Sequence, residues 1–158
     1  MNSFSVMNDL RPGAFLTVKD GSKANTMTIG WGLEGIMWQR KVFAALIKDI
    51  HRTYELLENA KYFTVSFPQK GTFTEALRHF GSVSGKTADK YESGLVRLTD
   101  AQSVDGFLID GCIKHYECEV IYKQLLQREF FTVTIDPSHL HTDENLHTLI
   151  IGEIKNPD

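Results

Sequence analysis

The chain of 158 residues contains only two cysteines, Cys112 and Cys118, and only four prolines. So few cysteines exclude a disulfide-stapled scaffold and are typical of a reducing compartment. No apolar run approaches the roughly 20 residues of a membrane-spanning helix, because the run at residues 42–47 is only as long as a strand. Residues 1–11 lack the basic start and the apolar run of a signal peptide. We therefore predict a cytoplasmic protein without a membrane partner.

An excess of positive charge is also missing, since 17 basic residues stand against 20 acidic ones and the formal net charge is -3. This balance disfavours a nucleic-acid binder that relies on a basic face. A chain of this length is the size of one domain, and it buries about 70% of its unfolded surface without needing a disulfide or a metal. No repeat, low-complexity segment or long linker divides it. We predict one domain over residues 1–158.

Segments dense in β-branched and aromatic residues dominate the chain and predict strands. They lie at residues 14–18, 25–31, 42–48, 62–67, 95–98, 107–109, 113–123, 129–135 and 148–154. Two short helices are predicted at residues 51–59 and 73–80, the second with Thr72 and Glu75 spaced as a capping box and Gly81 as its C-terminal cap. Strands without regular βαβ alternation indicate a mainly β, antiparallel Greek-key barrel and disfavour a Rossmann-type sheet.

The loop at residues 81–87 ends in Gly-Lys-Thr but does not form a nucleotide-triphosphate loop. Three residues separate its glycines where that motif needs four, and a predicted helix precedes it instead of a strand. The small residues Ser84 and Gly85 still leave backbone N–H groups accessible, and Lys86 supplies charge. The loop is therefore either a site for a single phosphate or a solvated surface loop.

The start of the helix at residues 51–59 is a second candidate anion site, because free backbone N–H groups favour a phosphate there. Arg52 can add a bidentate contact and Thr53 a hydroxyl. Arginine at a helix start opposes the helix dipole, which is a local cost typical of functional sites. The alternative is an exposed arginine without a role.

The segment at residues 25–32 carries two glycines beside Trp31. Glycine weakens a strand and often marks a close approach of the backbone to something else. Backbone groups at a strand edge, the Thr28 hydroxyl and the Met27 side chain would suit a flat ring with a polar edge. The alternative is an ordinary core strand with a packed Trp31.

Two other classes of site are disfavoured. The histidines and acids near the C-terminus do not form a ligand set with a recognised spacing, so we predict no metal. These residues are His139, His141, Asp143, Glu144 and His147. A Gly-x-Ser-x-Gly elbow for nucleophilic hydrolysis is absent as well.

An ordered set of short motifs resembles the flavin reductase family, whose domain is an FMN-binding split barrel. The first is Asn25, Met27, Thr28, Trp31 and Gly32; the second is Arg52, Tyr54, Glu55 and Leu56; the third is Phe-Thr-Val-Ser-Phe-Pro at residues 63–68. Ser84-Gly85-Lys86, Asp89-Lys90, residues 118–122 and residues 149–154 follow in the expected order.

The resemblance implies a homodimer with FMN near the subunit interface. It implies that Met27, Thr28 and Ile29 line the flavin ring and that Asn25 also binds the cofactor. Arg52, Thr53 and Tyr54, with Ser84, Gly85, Lys86 and Lys90, are implied to surround the ribityl phosphate. Many reductases of this superfamily carry Gly-Asp-His before the last strand; here Asn145-Leu146-His147 stands there, which places His147 on the nicotinamide side.

We therefore expect an FMN-binding oxidoreductase that passes hydride from NADH or NADPH to FMN and on to an acceptor. The acceptor would be free flavin, a ferric chelate or a redox protein. One alternative is an electron carrier like flavoredoxin, which binds FMN without using NAD(P)H directly. Another is a flavin-free ligand-binding module that retains the barrel.

Overall fold

A computed structural model describes residues 3–48, 52–86, 89–136 and 147–158. The strands are β1 (Ala14–Asp20), β2 (Lys23–Ile29), β3 (Gly32–Met37), β4 (Arg40–Lys48), β5 (Tyr62–Phe67), β6 (Leu98–Asp100), β7 (Phe107–Ile109), β8 (Lys114–Leu125) and β9 (His147–Ile154). The α-helices are α1 (Val6–Asp9), α2 (Arg52–Leu57) and α3 (Thr74–Ser82). Two 3-10 turns lie at Lys90–Ser93 and Arg128–Phe130.

Seven strands form one sheet in the order β2-β1-β5-β8-β9-β4-β3, and β6 pairs with β7 in a separate ladder. Every pairing is antiparallel. The structure therefore confirms the mainly β, antiparallel fold and excludes a parallel doubly wound sheet.

The sheet curls around its own core. One buried cluster contains Met27 of β2, Phe63 of β5, Tyr116 of β8 and Phe43 of β4. Strands β2 and β4 lie five places apart in the sheet, so they share one core only if the sheet closes into a barrel. A second cluster packs α3 against the outer face of β1 and includes Phe15 and Phe80, whose ring centroids are 5.9 Å apart.

Several predicted elements differ from the observed ones. Residues 129–135 were predicted as a strand but begin in a 3-10 turn, and Phe130 and Val133 are exposed, so this apolar pattern does not correspond to burial. Strand β3 was not predicted, because its side chains are mostly exposed and it lacks a buried apolar face. Helix α1 was not predicted either, and the strand expected at residues 95–98 begins only at Leu98.

The predicted N-terminal and C-terminal caps of α3 were also wrong. Phe73 occupies the N-cap position with a left-handed φ of 56° and no side-chain cap, while the Thr72 hydroxyl donates to the Gln69 carbonyl. Gly81 lies inside the helix, which ends at Ser82. The capping-box spacing is therefore present in the sequence without the hydrogen bonds that define it.

Among the described residues, no helix has the length and apolar character needed to cross a membrane.

Candidate functional site

Strand β2 ends the sheet, and its outer edge carries backbone groups that β1 does not use. The Lys90 ammonium donates to the Thr26 carbonyl across 2.9 Å, so this carbonyl points away from β1. Alternate residues of an antiparallel strand turn their backbone groups to the same side. The backbone N–H and C=O of Thr28 therefore face the same free edge as Thr26.

Two adjoining cavities follow this edge. The first, called here the polar cavity, has a volume of about 510 Å³ and is lined by Asp20, Lys23, Ala24, Asn25, Arg52, Leu56, Gly85, Lys86, Asp89, Lys90, Tyr91 and Leu98. The second, called here the strand-edge cavity, has a volume of about 280 Å³ and is lined by Met27, Thr28, Phe80, Gly81, Ser82, Val83, Ser84 and Lys90. Lys90 lines both cavities, so a ligand with a charged end and an uncharged body can lie along β2 and pass this side chain.

Two cations of the polar cavity, Arg52 and Lys86, are held by carboxylates. Arg52 Nη2 lies 3.0 Å from Asp20 Oδ2, and Arg52 Nη1 lies 3.0 Å from Glu55 Oε2. Lys86 Nζ lies 2.7 Å from the other oxygen of Glu55, Oε1. Hydrogen bonds from Lys86 and then Arg52 lower the pKa of the Glu55 carboxyl. Glu55 therefore carries its negative charge between the two cations at neutral pH.

Close backbone packing brings the loop at residues 84–86 against β2 and α2. A Cβ added to Gly85 would lie 2.0 Å from Asn25 Oδ1 and 3.3 Å from Arg52 Cβ, so only glycine fits there. Asn25 is itself buried, and its amide donates to the Thr53 hydroxyl across 2.8 Å. Asn25 and Thr53 thus tie β2 to α2 and define the floor on which Gly85 packs.

Lys90 is the one lysine of the polar cavity that is buried, with 6% of its surface exposed. Its ammonium donates to the carbonyls of Thr26 and Phe80, the second across 3.1 Å. In the described part of the chain, no carboxylate forms an ion pair with it. Burial lowers the pKa of Lys90 to about 8. An anion that enters the cavity would supply the counter-charge that carbonyl dipoles only partly replace.

The neighbouring residues of β2 serve the fold as well as the cavity edge. Thr28 Oγ1 donates to the Leu77 carbonyl of α3 across 2.6 Å, so its proton is used inside the molecule. Met27 and Ile29 belong to the barrel core, although Met27 also lines the strand-edge cavity. The polar groups left for a ring edge are therefore the backbone groups of Thr28 rather than its hydroxyl proton.

Four predicted residues line neither cavity: Ile29 and Thr53, which are buried in the fold, and Tyr54 and His147. Tyr54 packs against the barrel core and faces a different cavity beside Leu57. His147 is 5% exposed and packs on Trp31, with the ring centroids 5.3 Å apart. The residues considered for a metal, apart from His147, lie outside the described residues: His139, His141, Asp143 and Glu144.

Sequence reasoning missed some residues of the polar cavity. Tyr91 shares a hydrogen bond of 2.6 Å with Thr26 Oγ1, and burial raises the pKa of Tyr91 to about 12. Asp89 accepts from the Tyr91 N–H and so caps the 3-10 turn that carries Lys90. Asp20 is 32 positions from Arg52, and no sequence signal pairs them.

Structural comparison finds the same fold in proteins of low sequence identity. The flavoredoxin of Desulfovibrio vulgaris matches with a TM-score of 0.70 and 19% identity over 91% of this chain and 67% of its own. An FMN-binding protein of Thermus thermophilus matches with a TM-score of 0.67 and 22% identity over 90% of this chain and 66% of its own. An NADH:FAD oxidoreductase of Streptomyces globisporus matches with a TM-score of 0.65 and 20% identity over 90% of this chain and 71% of its own. This chain therefore spans about two thirds of the length of such proteins.

No curated protein matches the sequence. The family model described as "Flavin reductase like domain" matches residues 10–157, which is nearly the whole chain. The match includes every strand of the barrel and every described residue that lines the two cavities. The chain therefore belongs to the flavin reductase-like domain family.

Proposed function

We propose that this chain binds FMN along the free edge of β2 and acts as an NAD(P)H:flavin oxidoreductase, passing electrons on to a further acceptor. The observation that carries the proposal is the pair of adjoining cavities joined by Lys90. One is cationic and suits a phosphate; the other follows a strand edge and suits a flat ring. Membership of the flavin reductase-like family supports the same ligand.

The residues present fit the group. Arg52, Lys86 and Lys90 would hold the ribityl phosphate by charge-assisted hydrogen bonds. The backbone groups of Thr28 would hold the polar edge of the ring, and Met27 would cover part of its face. A bound flavin supplies hydride and electron transfer, which no amino-acid side chain provides. The task of the protein is to bind and orient it.

The first test is the visible absorption spectrum of the purified protein before and after addition of FMN and desalting. We expect one FMN to bind per chain in a titration. Anaerobic mixing of the FMN-loaded protein with NADH or NADPH then tests the reductase step, because rapid bleaching is expected. Failure to bind FMN under any of these conditions would favour the flavin-free module.

A flavoredoxin-like electron carrier is the second candidate function. The buried position of His147 favours it, because the residue expected beside the nicotinamide lies against Trp31 and lines neither cavity. FMN binding without bleaching by NADH or NADPH would support this carrier. Bleaching by dithionite in the same sample would show that the bound flavin remains competent.

We also propose that the protein is a homodimer. The hairpin of β3 and β4 exposes large apolar side chains, among them Leu33, Ile36 and Trp38, which are 63–69% exposed. Trp38 also lies near Tyr122 on β8, with ring centroids 6.2 Å apart, so the apolar surface continues across strands. Contiguous apolar surface of this kind marks an association site.

A further inference from the structure

Glu55 stands between the two exposed cations that the proposed phosphate site needs. Its two carboxylate oxygens accept separately, one from Arg52 across 3.0 Å and the other from Lys86 across 2.7 Å. A phosphate offers the same kind of oxygen atoms to the same donors. Glu55 therefore already engages N–H groups of Arg52 and Lys86 that a phosphate in the cavity would use.

Glu55 is not required to bring Lys86 near Arg52. The loop is already placed by Gly85, which packs against Asn25 and the Cβ of Arg52. The Glu55 carboxylate does not line the polar cavity, and its side chain is 42% exposed. Glu55 therefore holds two cations of the polar cavity although it is not itself part of the cavity lining.

The net charge of the site also indicates that Glu55 opposes the binding of an anion. The cations of the site are Lys23, Arg52, Lys86 and Lys90, and the acids near them are Asp20, Glu55 and Asp89. With every group ionised, four positive and three negative charges leave a single net positive charge. In the part of the chain that the structure describes, Asp20 pairs with Arg52 alone, whereas Glu55 pairs with two cations at once.

We propose that Glu55 competes with the flavin phosphate for Arg52 and Lys86 and thereby lowers the affinity of the site for FMN. This inference rests on the proposed FMN site and adds to it the residue that sets its affinity. Removal of the Glu55 charge releases Lys86 and the Nη1 group of Arg52 for the phosphate, while Asp20 still pairs with Nη2 of Arg52. FMN then binds more tightly, and the uncharged end of the flavin is unaffected.

The test is a fluorescence titration of FMN with the wild type and with Glu55→Gln, which keeps the shape of the side chain and removes its charge. We expect Glu55→Gln to lower the Kd for FMN by about three- to tenfold, as for partly exposed charge pairs. The Kd for riboflavin, which lacks the phosphate, stays unchanged. The increase in FMN affinity in Glu55→Gln also becomes smaller as the KCl concentration is raised, because salt screens exposed charges.

Glu58→Gln is the matched control, since Glu58 is an exposed acid directly after α2 that forms no ion pair in the described part of the chain. We expect it to leave the FMN Kd unchanged. FMN binding that is equal or weaker in Glu55→Gln, or a gain shared by riboflavin or by Glu58→Gln, would overturn this inference alone. Absence of FMN binding in the wild type and Glu55→Gln would overturn the proposed function and this inference with it.

Discussion

Arg52 and Lys90 would bind an anion in different ways. Arg52 is half-exposed and paired with carboxylates, whereas Lys90 is buried and forms no ion pair with a described carboxylate. Arg52 already shares its guanidinium between Asp20 and Glu55, and these partners raise its pKa, so it stays charged at every ordinary pH. Within the described residues, the ammonium of Lys90 has only carbonyl acceptors, and burial lowers its pKa. The affinity for a phosphate should therefore depend on both residues, and its pH dependence on Lys90.

Replacing Arg52 with alanine removes a charge-assisted contact to the phosphate. Such contacts contribute about 1.5–3 kcal/mol, so we expect Arg52→Ala to raise the FMN Kd by more than tenfold. Arg40→Ala is the matched control, since Arg40 is also an exposed arginine paired with a carboxylate, that of Glu153, but lies on the β4 hairpin. An unchanged FMN Kd in Arg52→Ala would remove Arg52 from the site.

FMN affinity should fall as the pH rises through about 8. Lys90 loses its proton there, because burial penalises the charged form, and the phosphate then loses a cation. Between pH 7 and pH 9 we expect the FMN Kd to rise by up to about tenfold, the limit for one titrating group. Riboflavin is the control ligand, and an equal pH dependence for both flavins would contradict the prediction.

The ionisation of Lys90 also changes the free energy of unfolding. Since the pKa of Lys90 is lower in the folded chain than its ordinary value of 10.5, the unfolded chain binds more protons between about pH 8 and pH 10.5. The Lys90 contribution to the free energy of unfolding therefore rises with pH across that window. Below pH 8 the buried charge lowers the stability of the ligand-free protein, and a bound phosphate offsets this cost.

Strand β9 shows how a single element determines the closure of the barrel. It pairs with both β8 and β4 and thus joins the two halves of the sheet. At Gly152 it comes so close to β5 that an added Cβ would lie 2.5 Å from the Phe63 ring and 2.7 Å from Cys118 Cβ. The glycine is needed here for space, since its φ is not in the left-handed region.

We expect Gly152→Ala to lower the free energy of unfolding by about 1–3 kcal/mol, because the methyl group overpacks a filled core. Urea denaturation followed by circular dichroism measures this change. Gly35→Ala is the matched control on β3, where an added Cβ meets no atom within 4 Å. A loss of stability no larger in Gly152→Ala than in Gly35→Ala would show that β9 has room to move.

Among the described residues, the hairpin of β3 and β4 presents an exposed apolar face. Strand β3 is the second edge of the sheet, and Leu33, Ile36 and Trp38 stand out from its hairpin. Beside them, a groove of about 520 Å³ runs from α1 past Trp31 to β4. An edge strand with exposed apolar side chains is an association hazard unless it is covered. We therefore expect a second copy of the chain to cover it.

Light scattering after size exclusion should give twice the chain mass of 17.9 kDa. Ile36→Lys places a charge on the apolar face and should shift the protein to the monomer at micromolar concentration. Val133→Lys is the control, because Val133 is similarly exposed but lies outside the hairpin. A monomeric wild type, or an equal shift in both variants, would contradict a dimer formed through this face.

The described strands that the sequence predicted best are those buried in the barrel. Residues 42–47 and 62–67 are dense in apolar residues, and both segments lie in strands whose side chains fill the core. Strand β3 was not predicted, because most of its side chains are exposed. Residues 129–135 were wrongly predicted as a strand, because their apolar pattern is not matched by burial and Phe130 and Val133 remain exposed. A hydrophobic pattern predicts a strand reliably only where the fold buries the apolar side chains of that pattern.

By itself the sequence determined the family, the antiparallel β class and the local motifs that carry Arg52, Lys86 and Lys90, because these depend on residue types at short spacing. Only the tertiary structure decided which of these residues meet. It placed Asp20 on Arg52 and Lys86 on Glu55, used the Thr28 proton inside the fold and buried His147 against Trp31. These contacts join residues that are far apart in the chain or whose side-chain direction depends on packing, and local propensity carries no information about either.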